Sequence, residues 1–173
     1  MNEVMQTILT RRSIRAFTDQ NIEKDVLRQL ADAARYAPSA MNRQTWKFTV
    51  VSNAKYIHAL ASAISAHLNR GGDYNFYGAT ALILASNEKD NPHGTEDCAC
   101  ALENIFLAAH SLGIGSVWIN QLKGICDVPD IREVLDELHL SKNHLVLGMA
   151  ALGYPAVSPA FPSKRDDVVE YIE

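Results

Sequence analysis

No apolar run in the chain approaches the roughly 18 residues that a membrane-spanning helix needs. Residues 1–9 carry Glu3 and no long apolar core, so no signal peptide is expected. Cysteine is scarce: Cys98, Cys100 and Cys126 are an odd number and build no disulfide framework. Cys98 and Cys100 stand too close together for a Cys-x-x-Cys metal or redox motif. Free thiols in a reducing cytosol are the expectation, and with them a cytoplasmic location. Positive charge is not in excess either. Lys plus Arg is 16 against 20 for Asp plus Glu, a net charge of −4, which argues against a nucleic-acid surface. The Gly-x-Gly-x-x-Gly dinucleotide fingerprint and the P-loop are both missing, as is a local signature for Ser-His-Asp chemistry. His58 and His67 have no partner at metal-ligand spacing, so no metal is expected.

What is present suits one domain over residues 1–173, with 47% apolar and 21% charged residues. Val4, Met5, Ile8 and Leu9 recur at helical spacing and predict a helix over 2–12. A second helix is predicted over 23–36. A third is capped by Asn53, a fourth covers 95–112 with Thr95 as a candidate cap, and a fifth is opened by Pro129. Gly113 is placed to stop the fourth in a left-handed conformation. Clustered aliphatic runs predict buried strands over 46–51, 79–85, 114–119 and 144–152, with a short fifth over 168–172. A break falls at 70–73, and the polar stretch 87–94 reads as the most mobile loop. Helices and buried strands thus alternate around one sheet, and a doubly wound arrangement is one way to build it.

Two stretches carry candidate chemistry. Arg11, Arg12, Ser13 and Arg15 place three guanidiniums and a hydroxyl within five residues. Arg11 and Arg15 would share a face if the first helix continued through them. Such a cluster matches a phosphate bidentately, and it equally suits a solvated basic helix end. Residues 37–46 form a connection of small and amide side chains around Pro38, Ser39, Ala40, Met41, Asn42 and Gln44. That stretch reads either as an ordinary helix-to-strand loop or as a surface for a flat polar ligand.

Taken in order, four elements resemble the FMN-dependent nitroreductase family. They are the Arg11-Arg12-Ser13-Ile14-Arg15 segment followed by Phe17, and the Ala37-to-Trp46 loop. The third is the helix ending at Gly113 with Gly115-Ser116-Val117-Trp118-Ile119 after it. The fourth is Leu152-Gly153-Tyr154-Pro155 with Lys164 and Arg165 downstream. The resemblance covers nearly the whole chain and implies an α+β fold: a mixed sheet flanked by helices, in an intertwined homodimer with FMN at the interface.

It implies that Arg11, Arg12, Ser13 and Arg15 hold the FMN phosphate, ribityl chain and pyrimidine edge, with Lys164 and Arg165 as a second basic segment. It further implies that Pro38, Ser39, Ala40, Met41 and Asn42 come from the other subunit, supported by Gln44 and Trp46. Trp118, Ile119, Asn120 and Gln121 would lie against the isoalloxazine, with a backbone N–H facing N5, and Asn75 would contact the flavin from the aromatic segment. Asn120 and Gln121 depart from the Gly or Glu often found there. The implied activity is NAD(P)H-dependent reduction of a small electron-poor acceptor (a nitroaromatic, quinone or enone) by a ping-pong route, with the chemistry carried by FMN rather than a catalytic side chain. A flavin-storage protein and a flavin-fragmenting or dehalogenating enzyme on the same fold are the alternatives. Neither a nucleic-acid nor a membrane partner is expected.

Overall fold

The long apolar runs assemble into one four-stranded sheet: β1 Lys47–Val51, β2 Ala81–Glu88, β3 Gly115–Ile119 and β4 His144–Gly153, in the order β1-β2-β4-β3. The structure is a computed structural model that describes residues 1–69, 74–161, 164–165 and 167–172. Its helices are α1 Glu3–Thr10, α2 Lys24–Arg35, α3 Ala54–His67, α4 Gly94–Ser111 and α5 Pro129–Glu137. The break expected at 70–73 lies outside the described residues.

Alternating side chains of β2 explain the layers. Leu82 and Leu84 join Ile57, Leu60 and Ile64 of α3 and Ile131 and Leu135 of α5 in one apolar cluster. Ala81, Ile83 and Ala85 join Leu27 and Leu30 of α2 and Leu102, Ile105 and Phe106 of α4 in the other. A strand covered on both faces reads as a continuous apolar run, because neither parity faces water. That coverage suggested a doubly wound fold, but every strand pair here is antiparallel. Among the described residues, parallel pairing is confined to one isolated bridge, Ser13 to Ser116. The expected fifth strand at 168–172 is not formed among the described residues. Val168, Val169, Tyr171 and Ile172 of that segment are all exposed.

Several local predictions are realised. The Asn53 side chain caps α3 by accepting from the Lys55 N–H at 3.0 Å. Pro129 sits in the first turn of α5, and Gly113 takes φ +72°. Thr95 is not the cap of α4: the helix begins one residue earlier, after His93. The stretch 87–94 also differs from the expected mobile loop. Asn87 is a fully buried member of β2, which runs on to Glu88.

Gly115 and Gly153 pair directly across β3 and β4, and residues 14–17 lie on them. A Cβ on Gly115 would stand 3.1 Å from Ile14 Cβ, and one on Gly153 would stand 2.8 Å from both Cβ and Cγ of Phe17. The glycine pair is therefore a floor that lets the segment after α1 dock on the sheet. Gly153→Ala is expected to cost about 1–3 kcal/mol through overpacking against Phe17. Urea unfolding of the variant beside the parent checks it, and an unchanged midpoint would refute the account.

Candidate functional site

Helix α1 ends before the arginines. Arg11 caps it in an extended conformation, φ −57° and ψ 135°, so the helix predicted over 2–12 ends at Thr10 and does not continue to put Arg11 and Arg15 on one face. The chain instead continues as an extended ribbon on the outer edge of β3, where the Ile14 N–H donates to the Ser116 carbonyl at 2.9 Å. Alternation along that ribbon buries Ile14 and leaves Ser13 and Arg15 exposed on the opposite side. Two residues beyond the bridge, Trp118 is 40% exposed on the same strand, while Ile119 turns into the core. The Asn120 N–H, exposed at the strand's end, donates to Gln121 Oε1 at 3.1 Å.

The three arginines are not equivalent. Arg11 lies half-buried, its Nε 3.6 Å from Glu103 Oε1 of α4. Arg12 turns back on α1: its Nη1 donates to the carbonyls of Leu9 at 2.8 Å and Arg11 at 2.6 Å. Its guanidinium also lies over the Phe161 ring at 4.6 Å, a cation–π contact, while its Nε is buried without a partner. Arg12 lines a cleft of about 210 Å³ together with His110, Gly113, Gly115, Ser116 and Pro155. His110 shares a 2.8 Å hydrogen bond with Thr10 Oγ1, which ties α1 to α4. Burial, then the neighbouring Arg11 and Arg12 charges, push its pKa below the ordinary histidine value.

The loop after α2 holds an uncommon backbone. Met41, Asn42 and Gln44 have φ of 53°, 53° and 51°, the left-handed region that side chains with a Cβ seldom adopt. A 3-10 turn, Ala40–Asn42, lifts Met41 and Asn42 into solvent. Gln44 supports the turn as expected: its N–H donates to Ser39 Oγ at 3.2 Å and its Nε2 to Asn42 Oδ1 at 2.7 Å. Trp46 packs on Phe48 with ring centres 5.6 Å apart.

Beneath this loop lies a polar cluster whose structural role the sequence did not signal. Buried Asp97, in the first turn of α4, accepts the Ala40 N–H through Oδ1 at 2.8 Å. Its Oδ2 accepts from Asn91 Nδ2 at 3.3 Å. Asn87 Oδ1 accepts from Thr45 Oγ1 at 2.6 Å. Cys98 adjoins the cluster, and burial followed by the Asp97 charge raises its pKa to about 12, against a hydrogen bond from Asn87 that lowers it.

Asn75, Lys164 and Arg165 are the remaining candidates. Asn75 lines a separate cleft with Asp19, Asn21, Ser52 and His58. Lys164 is exposed, and Arg165 makes a bidentate pair with Asp167 at 2.6 and 2.9 Å. Among the described residues no group of His, Cys, Asp and Glu is arranged to hold a metal, and no helix is long and apolar enough to cross a membrane.

Residues 8–154 match the model of the nitroreductase family. A solved nitroreductase with bound FMN from Bacteroides fragilis is 37% identical, superposes with a TM-score of 0.93, and the match covers 100% of both chains. A curated Archaeoglobus fulgidus relative, whose name proposes NADH dehydrogenase or NAD(P)H nitroreductase activity, is 33% identical over 90% of this chain and 87% of its own. A Bacillus subtilis protein named FMN reductase [NAD(P)H] is 28% identical over 90% of this chain and 67% of its own.

Proposed function

This chain belongs to the nitroreductase family, and from that premise we propose that it is a homodimeric, FMN-dependent oxidoreductase. NAD(P)H is the reductant and a small electron-poor acceptor, such as a nitroaromatic, quinone or enone, the oxidant, the two using one site in turn. The observation that carries the reading is the ribbon of residues 11–15 pinned to β3. It sets exposed Ser13 and Arg15 on the strand that leads directly into residues 118–121.

The donor set fits FMN. Arg11 and Arg15 supply charge and forked donors for a phosphate and for the pyrimidine edge, and Ser13 adds a hydroxyl. Arg12 contributes differently, by fixing the end of α1 from which the ribbon departs. Trp118 and the Asn120 N–H offer a flat apolar surface and a main-chain donor, once Gln121 releases it. Pro38, Ser39, Ala40, Met41 and Asn42 serve the partner's flavin, which accounts for a loop that projects Met41 and Asn42 away from its own chain. Exposed Lys164 offers further positive charge; Arg165 would have to leave Asp167 to do the same, and Asn75 lines a different cleft.

FMN, when bound, supplies hydride acceptance from the nicotinamide and delivery of two electrons to the acceptor. For a quinone the balance is NAD(P)H plus H⁺ plus quinone giving NAD(P)⁺ plus hydroquinone, with the proton drawn from solvent. Residues 118–121 bring amides and no acid to that surface. A positive charge held near the pyrimidine edge by Arg15 favours the reduced, negatively charged cofactor and so raises its potential. Three free thiols support a reducing cytosol as the setting.

The purified protein should be yellow and should bleach under anaerobic NAD(P)H. Its flavin should leave on denaturation and chromatograph as FMN, one per subunit, and sedimentation should give a dimer. FAD, a covalently held flavin, a folded flavin-bound monomer, or a colourless protein that takes up no FMN would each overturn the reading. Bound FMN that NAD(P)H does not reduce would indicate storage instead.

A further inference from the structure

We propose that buried Asp97 and Asn87, joined by half-buried Asn91 and gripping Ala40 and Thr45, are a positioning device that clamps the loop 38–45 in its left-handed conformation and so sets flavin affinity without touching the flavin. The inference rests on the reading of that loop as part of the partner's flavin site.

Three left-handed residues within four positions cost on the order of 1–3 kcal/mol each and persist only where the surroundings over-determine them. Here the two flanks of the strained stretch are each tied down. On one side the Ala40 N–H is held at 2.8 Å by Asp97. On the other, Thr45 Oγ1 donates to Asn87 Oδ1 at 2.6 Å. Asn91 joins the two anchors through one amide nitrogen, which lies 3.0 Å from Thr45 Oγ1, 3.3 Å from Asn87 Oδ1 and 3.3 Å from Asp97 Oδ2. Every loop atom bound by the cluster is on residue 40 or 45, and Met41 and Asn42 between them stay in solvent. Asn87 belongs to β2 and Asp97 to the first turn of α4, and Asn91 stands in the short connection between those two elements. The position of Asp97 also explains how a carboxylate survives at 4% exposure: a helix N-terminus favours negative charge.

Three variants test this in the full-length dimer: Asp97→Ala, Asp97→Asn and Thr45→Val. Each is titrated with FMN by fluorescence quenching, alongside visible circular dichroism at saturating FMN and the melting temperature of the flavin-free protein. Asp97→Ala removes an acceptor for a main-chain N–H and should weaken FMN binding by about tenfold or more. Asp97→Asn keeps an oxygen for Ala40 and should recover most of that affinity. Thr45→Val changes little volume, should leave flavin-free melting near the parent, and should still weaken binding several-fold and alter the dichroism of bound flavin. If Asp97→Ala does not fold, Asp97→Asn and Thr45→Val decide the matter. A merely structural role predicts lower melting temperatures with parental FMN affinity and dichroism, and that result would overturn the proposal. Asn42→Ala separates the two levels. Weakened binding there with none in the cluster variants sinks the clamp but leaves the loop in the flavin site, and parental binding in all four sinks both.

Discussion

Arg11→Ala should leave purification depleted of flavin and regain much of its activity when FMN is added in excess. The Arg11 guanidinium is half-buried and steered by Glu103 at 3.6 Å, so it is pre-oriented at the end of α1 without being saturated. Hydrogen bonds to a charged phosphate contribute about 1.5–3 kcal/mol. Their loss lowers FMN affinity by about tenfold to a hundredfold. Melting temperature should fall with the flavin and return when it is restored, because the ligand binds only the folded state. Arg15→Ala should behave differently, keeping more flavin but shifting its reduction potential downward as a positive charge leaves the pyrimidine edge. Flavin content and potential, measured for both variants, decide the assignment. Full flavin and normal potential in both would reduce the arginine cluster to a solvated helix end.

Charging the apolar face of α1 should release monomers. Val4, Met5, Ile8 and Leu9 are 66, 45, 46 and 50% exposed, and α1 buries no residue within its own chain. A helix with such a stripe and no cover is unusual in an isolated subunit, since burying an aliphatic side chain stabilises by about 1.5–3 kcal/mol. Met5→Glu combined with Ile8→Glu would place two carboxylates in any interface formed there, at a desolvation cost of several kcal/mol per ion. The subunit itself has little to lose, because neither side chain supports its core. The double variant is expected to keep its far-ultraviolet circular dichroism, sediment as a monomer and bind FMN weakly. A flavin-bound dimer in sedimentation would show that the interface lies elsewhere.

The helices were legible because their apolar stripes and stop signals are local: Asn53, Gly113 and Pro129 each do what their chemistry prescribes. The strands were legible as buried runs but not as antiparallel ones. Burial on both faces reports that helices cover the sheet, and connections as long as the one through α3 permit either strand direction. The bulge in β4 was equally hidden. Pairing steps from Ala85–Gly148 to Ser86–Val146, so Leu147 is extra and the parity of the strand flips there. At the site, the arginines and the amide-rich loop were visible as residue types. Their geometry was not, since the first helix stops at Thr10, short of the predicted Arg12, and the arginines follow on an extended ribbon. Asp97 and Asn87 were missed because polarity in a stretch near a turn ordinarily means solvent. Here Asp97 sits at a helix N-terminus and accepts the Ala40 N–H, and Asn87 Oδ1 accepts the Thr45 hydroxyl, while Asn87 Nδ2 stays buried without an oxygen or nitrogen partner.

Helix α1 also bears on how the chain comes together. It is synthesised before α4, yet its side-chain anchor in the body of the fold is the bond from Thr10 to His110, a hundred positions downstream. It therefore waits undocked until α4 has been made. Its apolar stripe waits longer still, because on the dimer reading its cover belongs to a second polypeptide. Subunit folding and completion of its surface are then separate events, the first unimolecular and the second paced by how often two chains meet. At low expression levels the newly made subunit spends that interval with its N-terminal stripe open to chaperones.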